Sequence, residues 1–481
     1  MKRLLYVIWG MAFQVNATAQ DSLTLDRCRE MAVEHNRQLA SARVQREKSE
    51  HDLTAMRANF MPKLDFHAFD LANTMSGNLT TPSATLPIFS YNPGAAQFLP
   101  SLLTDAAGNV VGLSQYAEFP AMTVNYSMHN LFSTGLSLTQ PIYMGGKIST
   151  GYKMTKIGKR IAEENIRLTK SEVTVKVDEA YALAVKALEM VDVAQSYEQL
   201  LQELKKNVES AVRHGMRTRN DAMKVQVKLN QARLSITRAN NALDLALMNL
   251  CQVVGLPLDS RPLVAKPDVA SAVMDEMLAA SADSSLVVSR PEYAMLQDKT
   301  ELARQQVKLT RADFLPQIAA FASGGYSYGG KVSVDATSTV AGTHNMYDKT
   351  LVDKFSGAVG VTLSVPIFHF GERRGKIRSA KAALRMAQLE LDDNRELMAL
   401  ELSQAYNTLK EQMEALEIAR LSVEQATENL RLSRSAYDSG VETLSDHLEA
   451  QALWQSALAD EIDARAQLLV ALSKWRKAAG R

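Results

Sequence analysis

The sequence predicts an α+β membrane fold made twice, in which paired amphipathic strands feed helical hairpins far longer than those of ordinary globular domains. Three observations carry this. The stretch GVTLSVPIFHFGERRGK, from Gly360 to Lys376, alternates apolar and polar residues as far as Pro366 and takes a helical period after Gly371. The same device occurs earlier, as GLSLTQPIYMGGK from Gly135. Each is followed by a Pro-free stretch rich in Ala, Leu, Glu, Lys, Arg and Gln, a composition suited to long helices and coiled coils.

The elements can be justified in order. In MKRLLYVIWGMAFQVNATAQ, Lys2 and Arg3 form a basic n-region, Leu4 to Phe13 an apolar h-region, and Ala17-Thr18-Ala19 an A-x-A cleavage site. This predicts an export signal over 1–19, removed before Gln20. No later stretch supplies the ~18 apolar residues of a spanning helix, so any membrane-embedded part must be a closed barrel. A helix is expected over 26–59, stopped by Pro62, with a strand over about 60–70. Residues 70–134, rich in Asn, Ser, Thr, Gly and Pro, read as a long loop. A second strand over 135–144 leads into a helical hairpin over 147–255 that turns at His214-Gly215-Met216. Val173, Val177, Ala180, Ala184, Ala187, Val191, Ala194, Leu201, Leu204, Val208 and Ala211 give its long arm a near-heptad stripe with one shift in phase.

This first repeat, 20–259, is followed by a second over 260–481. RADFLPQI (311–318) echoes RANFMPKL (57–64), GVTLSVPIF (360–368) echoes GLSLTQPIY (135–143), and AYDSGVETLSD (436–446) echoes AVRHGMRTRND (211–221). The last two pairs are separated by the same interval. The second repeat is expected to hold a helix near 290–313, strands near 314–326 and 355–370, and a hairpin over 372–480. Pro62, Pro141, Pro316 and Pro366 mark the helix–strand junctions. At ~1.5 Å per residue the helix from 147 is about 100 Å long and its return arm about 57 Å, so the 26–59 helix completes the shorter column. Four strands per chain cannot close a barrel, and open edges are not tolerated in lipid. Three copies would give a twelve-stranded barrel, an even number within the range of outer-membrane barrels.

Composition excludes several classes. Lys and Arg number 54 against 53 Asp and Glu, so no bulk positive charge calls for nucleic acid. The 8 histidines and 21 methionines form no H-E-x-x-H motif and no cluster, so neither metal nor cofactor is expected. His369 and His447 read as surface or lumen residues. No catalytic spacing is present. Cys28 and Cys251 both fall near the middle of the helical column, where export permits a disulfide but does not require one. Phe314, Phe321, Tyr326, Tyr328, Phe355, Phe368 and Phe370 flank the second strand pair and read as aromatic girdles at the membrane interfaces.

The opening SLTLDRCREMAVEHN, the F-x-P-x-L/I junctions at Phe60 and Phe314, the P-I-aromatic strand ends and the turn Y-D-S-G-V-E-T-L-S-D-H-L together resemble the TolC-like outer membrane efflux protein family, over essentially the whole mature chain. The resemblance implies a homotrimeric barrel in the outer membrane of a Gram-negative bacterium, in contact with its lipid and continued by a helical barrel through the periplasm. It implies a periplasmic adaptor (membrane fusion protein) and an inner-membrane pump, of the RND type or alternatively the ABC type. The expected cargo is small molecules such as drugs and toxic compounds. The same fold also serves type I protein or peptide secretion. A periplasmic scaffold or adhesin is the reading from another class, and the apolar-faced strands count against it. The long first extracellular loop departs from the family pattern.

The family's acidic periplasmic gate maps onto Asp446 and Glu449, with Asn220 and Asp221 in the first repeat; copies around an axis would set like charges close together. Thr443-x-x-Asp446 and Thr218-x-x-Asp221 also read as capping boxes that open the return helices. His214, Gly215 and Met216, with Ser439, Gly440 and Val441, match the family's adaptor-docking turns, where the glycines also serve turn geometry. The first hairpin end is basic (Arg213, Arg217, Arg219, Lys224) and the second acidic (Asp438, Glu442, Asp446, Glu449). A charge lock joining Arg217, Arg219 and Lys224 to Glu442 and its neighbours would help hold that end closed.

Overall fold

The computed structural model describes residues 22–266, 283–338 and 342–481; the expected export signal lies outside the described residues. In chain order the elements are α1 (Leu25–His35), α2 (Arg37–Ala58), β1 (Lys63–Ala72), β2 (Ser76–Thr81), β3 (Ala84–Pro87), β4 (Phe89–Asn92), β5 (Gln97–Pro100), β6 (Leu102–Thr104), β7 (Val110–Leu113), β8 (Tyr116–Phe119), β9 (Ala121–Met144), α3 (Lys147–Arg213), α4 (Arg219–Val254), α5 (Pro291–Ala312), β10 (Gln317–Ser338), β11 (Gly342–Ser364), α6 (Glu372–Asp438) and α7 (Leu444–Ala478). They fall into two compact units. One is helical, and the other, made of Ala55–Thr150 and Leu309–Arg374, holds the strands.

In the helical unit the stripe of α3 is buried: Val173, Val177, Ala180 and Ala184 pack with Leu402 and Leu409 of α6 and with Leu468, Leu472 and Trp475 of α7. The expected single helix over 26–59 is instead two. Asn36 leaves the helical conformation, its Oδ1 accepts from the N–H groups of Gln38 and Leu39 (2.8 and 3.3 Å), and its Nδ2 donates to the Val253 carbonyl (3.0 Å). A short amide side chain that caps a new helix competes with continuing the old one. The carboxylate of Asp178 has no exposure and is met by the Arg29 fork, Nε and Nη2 each donating at 2.8 Å. Cys28 and Cys251 are both buried and free, so the optional disulfide is not formed. Burial, then the nearby Asp178 charge, pushes the Cys28 thiol up to about 12, which keeps it protonated and unreactive. Among the described residues no helix is long and apolar enough to cross a membrane.

The main sheet of the β unit is antiparallel and five-stranded, in the order β1-β9-β10-β11 with β2 also paired to β9. The stretch 70–134 is not the loop expected of it. β9 starts at Ala121, β2 pairs along its outer half, and three short ladders (β3–β8, β4–β5, β6–β7) fill the interval. β10 and β11 likewise extend to Ser338 and back from Gly342, and β11 stops at Ser364 rather than near 370. Pro62 and Pro316 directly precede β1 and β10, and Pro366 follows β11. Pro141 lies inside β9 rather than at its end. The register to β10 shifts there, so the missing N–H interrupts no regular pairing.

The sheet has two chemically distinct faces. Leu64 and Phe66 pair with Leu138 and Leu136, and Ala322 with Val359, all on one face. Val359 is 88% exposed, and Val361 and Leu363 continue the row. The other face carries Lys63, Asp65 and His67, with Ser133 and Ser327 joined at 3.0 Å. An exposed apolar face backed by a polar one is the pattern of a strand between lipid and an aqueous lumen. On β11 the apolar run from Leu363 to Phe355 ends at Asp353 on the same face, about the 9–11 residues that a crossing strand needs. Phe355, Tyr326, Tyr328, Phe368 and Phe370 are exposed, as girdle residues should be. Phe314 is not: it is buried, edge-on to His369 at 6.0 Å, and belongs to the packing at the helix–strand junction.

This division predicts that Val361→Arg destabilises the inserted protein by about 2–4 kcal/mol, the cost of a lipid-facing cation near the bilayer midplane. Thr362→Arg, on the polar face, should leave the amount of outer-membrane protein and its urea midpoint close to those of the natural chain.

Candidate functional site

The hairpin ends carry most of the residues singled out by sequence, and all of them lie in the helical unit. Each long arm closes in a glycine turn. Gly215 (φ +74°) and Gly440 (φ +78°) occupy the left-handed conformation that other residues avoid. The following amides reach back, Met216 N–H to Ala211 O and Val441 N–H to Ala436 O, each at 2.9 Å. This leaves two apolar side chains in solvent at the extreme ends, Met216 at 72% and Val441 at 83% exposure. His214 and Ser439 bond back onto Ser210 O and Ser435 O and so belong to the turns themselves.

The return helices start in complete capping boxes. Thr218 Oγ1 accepts from Asp221 N–H while the Asp221 carboxylate accepts from Thr218 N–H and Oγ1–H (3.1 and 2.7 Å); Thr443 and Asp446 repeat the arrangement at 3.3 and 2.7 Å. The Thr218 hydroxyl holds the Asp221 carboxyl below the usual range. Both aspartates are therefore engaged as caps, Asp221 half-buried and Asp446 exposed.

Glu449 is placed differently. With Asn220, Met223, Lys224 and Val227 of α4, and Ser445, Leu448 and Ala452 of α7, it lines a groove of about 610 Å³. The fold thus brings Asn220, Lys224 and Glu449 together and leaves Asp221 and Asp446 to the caps. Within one chain Arg217 is not paired with Glu442. Its guanidinium lies 4.8 Å from the centroid of the Tyr437 ring, and Glu442 Oε2 is enclosed without a hydrogen-bond partner.

Beneath the turns lies a cluster that the sequence reading missed. His447, expected at the surface or in the lumen, is only 4% exposed. Its ring stacks on Tyr437 at 5.1 Å, the Gln451 amide donates to Nε2 (3.0 Å), and Nδ1 meets Ser433 Oγ (3.0 Å). The available signal was spacing: Ser433 and Tyr437 are one turn apart on α6, as His447 and Gln451 are on α7, which puts all four on facing stripes. Apolar neighbours Leu201, Leu204, Val208, Val225, Leu229 and Leu448 enclose them. Burial lowers the His447 pKa below the ordinary 6.5, although Glu442 and Asp438 oppose the shift. Among the described residues no group of His, Cys, Asp and Glu could hold a metal ion.

Comparison with known proteins fits this architecture. The family model described as "Outer membrane efflux protein" matches residues 29–256 and 284–481. The alkaline protease secretion protein AprF of Pseudomonas aeruginosa is 27% identical over 355 residues, covering 73% of this chain and 70% of that protein. The outer membrane protein TolC of Vibrio cholerae is 21% identical over 396 residues, 78% of this chain and 85% of that protein. In fold, the crystal structure of the Campylobacter jejuni CmeC outer membrane channel matches 95% of this chain and 85% of its own, with a TM-score of 0.68 at 17% identity.

Two outcomes test the local reading. Thr218→Ala and Thr443→Ala should each cost the hairpin about 1 kcal/mol, seen as faster proteolysis at the turns. A histidine buried in its neutral form stabilises fully above its unfolded pKa near 6.5, and that contribution is lost as pH falls toward the depressed folded value. Helix melting between pH 7.5 and 5 should therefore fall less steeply in His447→Gln than in the natural chain.

Proposed function

The chain belongs to the outer membrane efflux protein family, and from that premise we propose that it is the homotrimeric exit duct of a tripartite efflux system for small molecules. As a family member it is an outer-membrane transport channel, not an enzyme, and acts with a periplasmic adaptor and an inner-membrane transporter. The observation that carries the proposal is the sheet. Four long strands with an exposed apolar face and a polar reverse end in two unpaired edges, and such a sheet is stable in lipid only when further copies complete it. Three copies give an even strand number, twelve, in keeping with bacterial barrels. An RND-type pump is the proposed energy source.

In the helical unit we assign the constriction to the groove around Glu449 and the adaptor contacts to the exposed turns at Met216 and Val441. A ring of Glu449 carboxylates would favour cations and hinder anions. Lys224 beside it offers a counter-charge, and an exposed pair of this kind contributes only ~0–1 kcal/mol, weak enough to be released on docking. A second reading is protein secretion by the type I route, which the likeness to a protease secretion protein favours.

Single-channel conductance in a planar bilayer tests the duct. We expect a small, cation-preferring conductance, larger and less selective in Glu449→Ala. An unchanged channel moves the constriction elsewhere. Folded, inserted protein without conductance removes the duct itself. Deletion of the gene separates the cargo readings: greater sensitivity to toxic small molecules supports efflux, and loss of a secreted protein at unchanged sensitivity supports secretion.

A further inference from the structure

Cations collect at one place in the helical unit that the duct does not use. A cavity of about 400 Å³ lies between α1, α3, the start of α5 and the end of α7. Six of its twelve lining residues are cationic, Arg29, Arg167, Lys170, Arg476, Lys477 and Arg481, and none is Asp or Glu. On α3 the lining positions 167, 170, 171 and 174 follow the helical period, and on α7 positions 473, 476 and 477 do the same. Two helical stripes therefore face one another across the cavity.

The chain supplies only part of the counter-charge. Asp178 and Asp26 between them engage all three nitrogens of Arg29 (2.8, 2.8 and 3.0 Å), so Arg29 is a wall and not a free donor. Glu164 accepts from one nitrogen of Arg167 (2.7 Å), and Glu172 comes only to 3.9 Å from Lys477. Among the described residues the Lys170 ammonium meets no carboxylate, and the Arg481 guanidinium lies 5.4 Å from the centroid of the Trp475 ring. Like charges held this close repel, the more so where water is partly excluded. The negative C-terminal pole of α7 accounts for Arg476 and Lys477 in its last turn. It does not account for Arg167 and Lys170, which stand in the interior of a 67-residue helix.

The hydroxyls of the cavity differ in the same sense. Ser171 and Thr174 donate to the carbonyls of Arg167 and Lys170 on their own helix (2.9 and 3.0 Å). Ser473 is only 3% exposed, lines the cavity, and makes no hydrogen bond among the described residues. A buried hydroxyl left without a partner costs stability, so its position calls for an acceptor.

We propose that this cavity binds a phosphate group, held by Arg167 and Lys170 of α3 and Lys477 of α7 and met at its floor by the Ser473 hydroxyl. Donors that converge from two walls and a floor suit a tetrahedral oxyanion, whereas a planar carboxylate offers two oxygens along one edge. The volume falls within the range of small-molecule sites and leaves room for a small organic body beside the phosphate. Bound there, the anion bridges α3 and α7 and relieves the repulsion between them. The site does not depend on the cargo assigned to the duct.

Calorimetric titration of the full-length protein in detergent tests the site, at slightly alkaline pH and fixed ionic strength. We expect saturable binding of inorganic phosphate or glycerol phosphate, with the helical melting temperature rising as the ligand is added. Lys170→Gln and Lys477→Gln should each weaken binding about tenfold or more, the loss of one charge-assisted hydrogen bond. Ser473→Ala leaves every charge in place and should still weaken binding severalfold. Lys410→Gln, which removes an exposed cation of α6 outside the cavity, should leave the affinity unchanged. Tighter binding of the inorganic ion supports the site with a free anion as its occupant, and tighter binding of glycerol phosphate supports it with a phosphate ester. Equal binding of succinate overturns the tetrahedral assignment. An affinity untouched by Ser473→Ala, or reduced as much by Lys410→Gln as by Lys170→Gln, shows diffuse attraction of anions and overturns the site, as does the absence of saturable binding.

Discussion

A peptide group in hydrocarbon has no partner but another peptide group. This chain makes more strand than it can satisfy: β9 and β10 are paired on both sides, while β1 and β11 each keep one open edge. Much else in the β unit answers to that constraint. It explains why apolar side chains face outward with nothing of the chain upon them, why the polar residues gather on the opposite face, and why Pro141 sits where the pairing is already shifted. The helices are under no such demand. Each satisfies its own backbone except at its ends, so the helical unit is specified by side-chain burial along α3, α6 and α7 and by caps where helices start.

The hairpin ends are built from few interactions. Their closure rests on local terms: two glycine turns, two capping boxes, and a small core under the turns. Within that core a more stable choice than Ser433, His447 and Gln451 would be apolar, because buried polar groups contribute net stability only when fully bonded, and even then modestly. Both imidazole nitrogens have partners, yet Gln451 Oε1 and Glu442 Oε2 do not. Each enclosed oxygen left without a partner costs the hairpin end part of the desolvation penalty of that group.

The sequence exposed those features that backbone chemistry punctuates. A period of two that becomes helical, prolines before β1 and β10, glycines at 215 and 440, and the Thr-x-x-Asp caps are each local signals with one physical cause, and the corresponding elements lie where those signals put them. The outer half of β9 and the strand β2 carried no such mark. Residues 73–130 mix Asn, Ser, Thr and aromatics without one-sided alternation, and they pair because neighbouring long strands supply a template, which is a tertiary cause. The break at Asn36 was hidden for a similar reason, since the partner of its side chain, Val253, is distant in sequence. His447 was misjudged because burial depends on which helix faces which, and a lone histidine at a helix start says nothing of that.

Duplication gives a way to separate what the fold requires from what it merely permits. Where the repeats agree, as in strand register, turn glycines and capping boxes, the backbone plan is enough to explain the residue, so agreement says little about function. Where they differ, the plan has no preference. Lys224 and Glu449 hold corresponding places on α4 and α7, line one groove, and have opposite charge. Arg217 reaches the Tyr437 ring, whereas its counterpart Glu442 keeps an enclosed oxygen without a partner. The first hairpin carries the insert from β2 to β8, and the second turns directly from β10 to β11. Helix propensity does not choose between Lys and Glu on a helix face, since the two rank almost equally. The charge contrast at the hairpin ends is therefore not required by the backbone plan of the single chain.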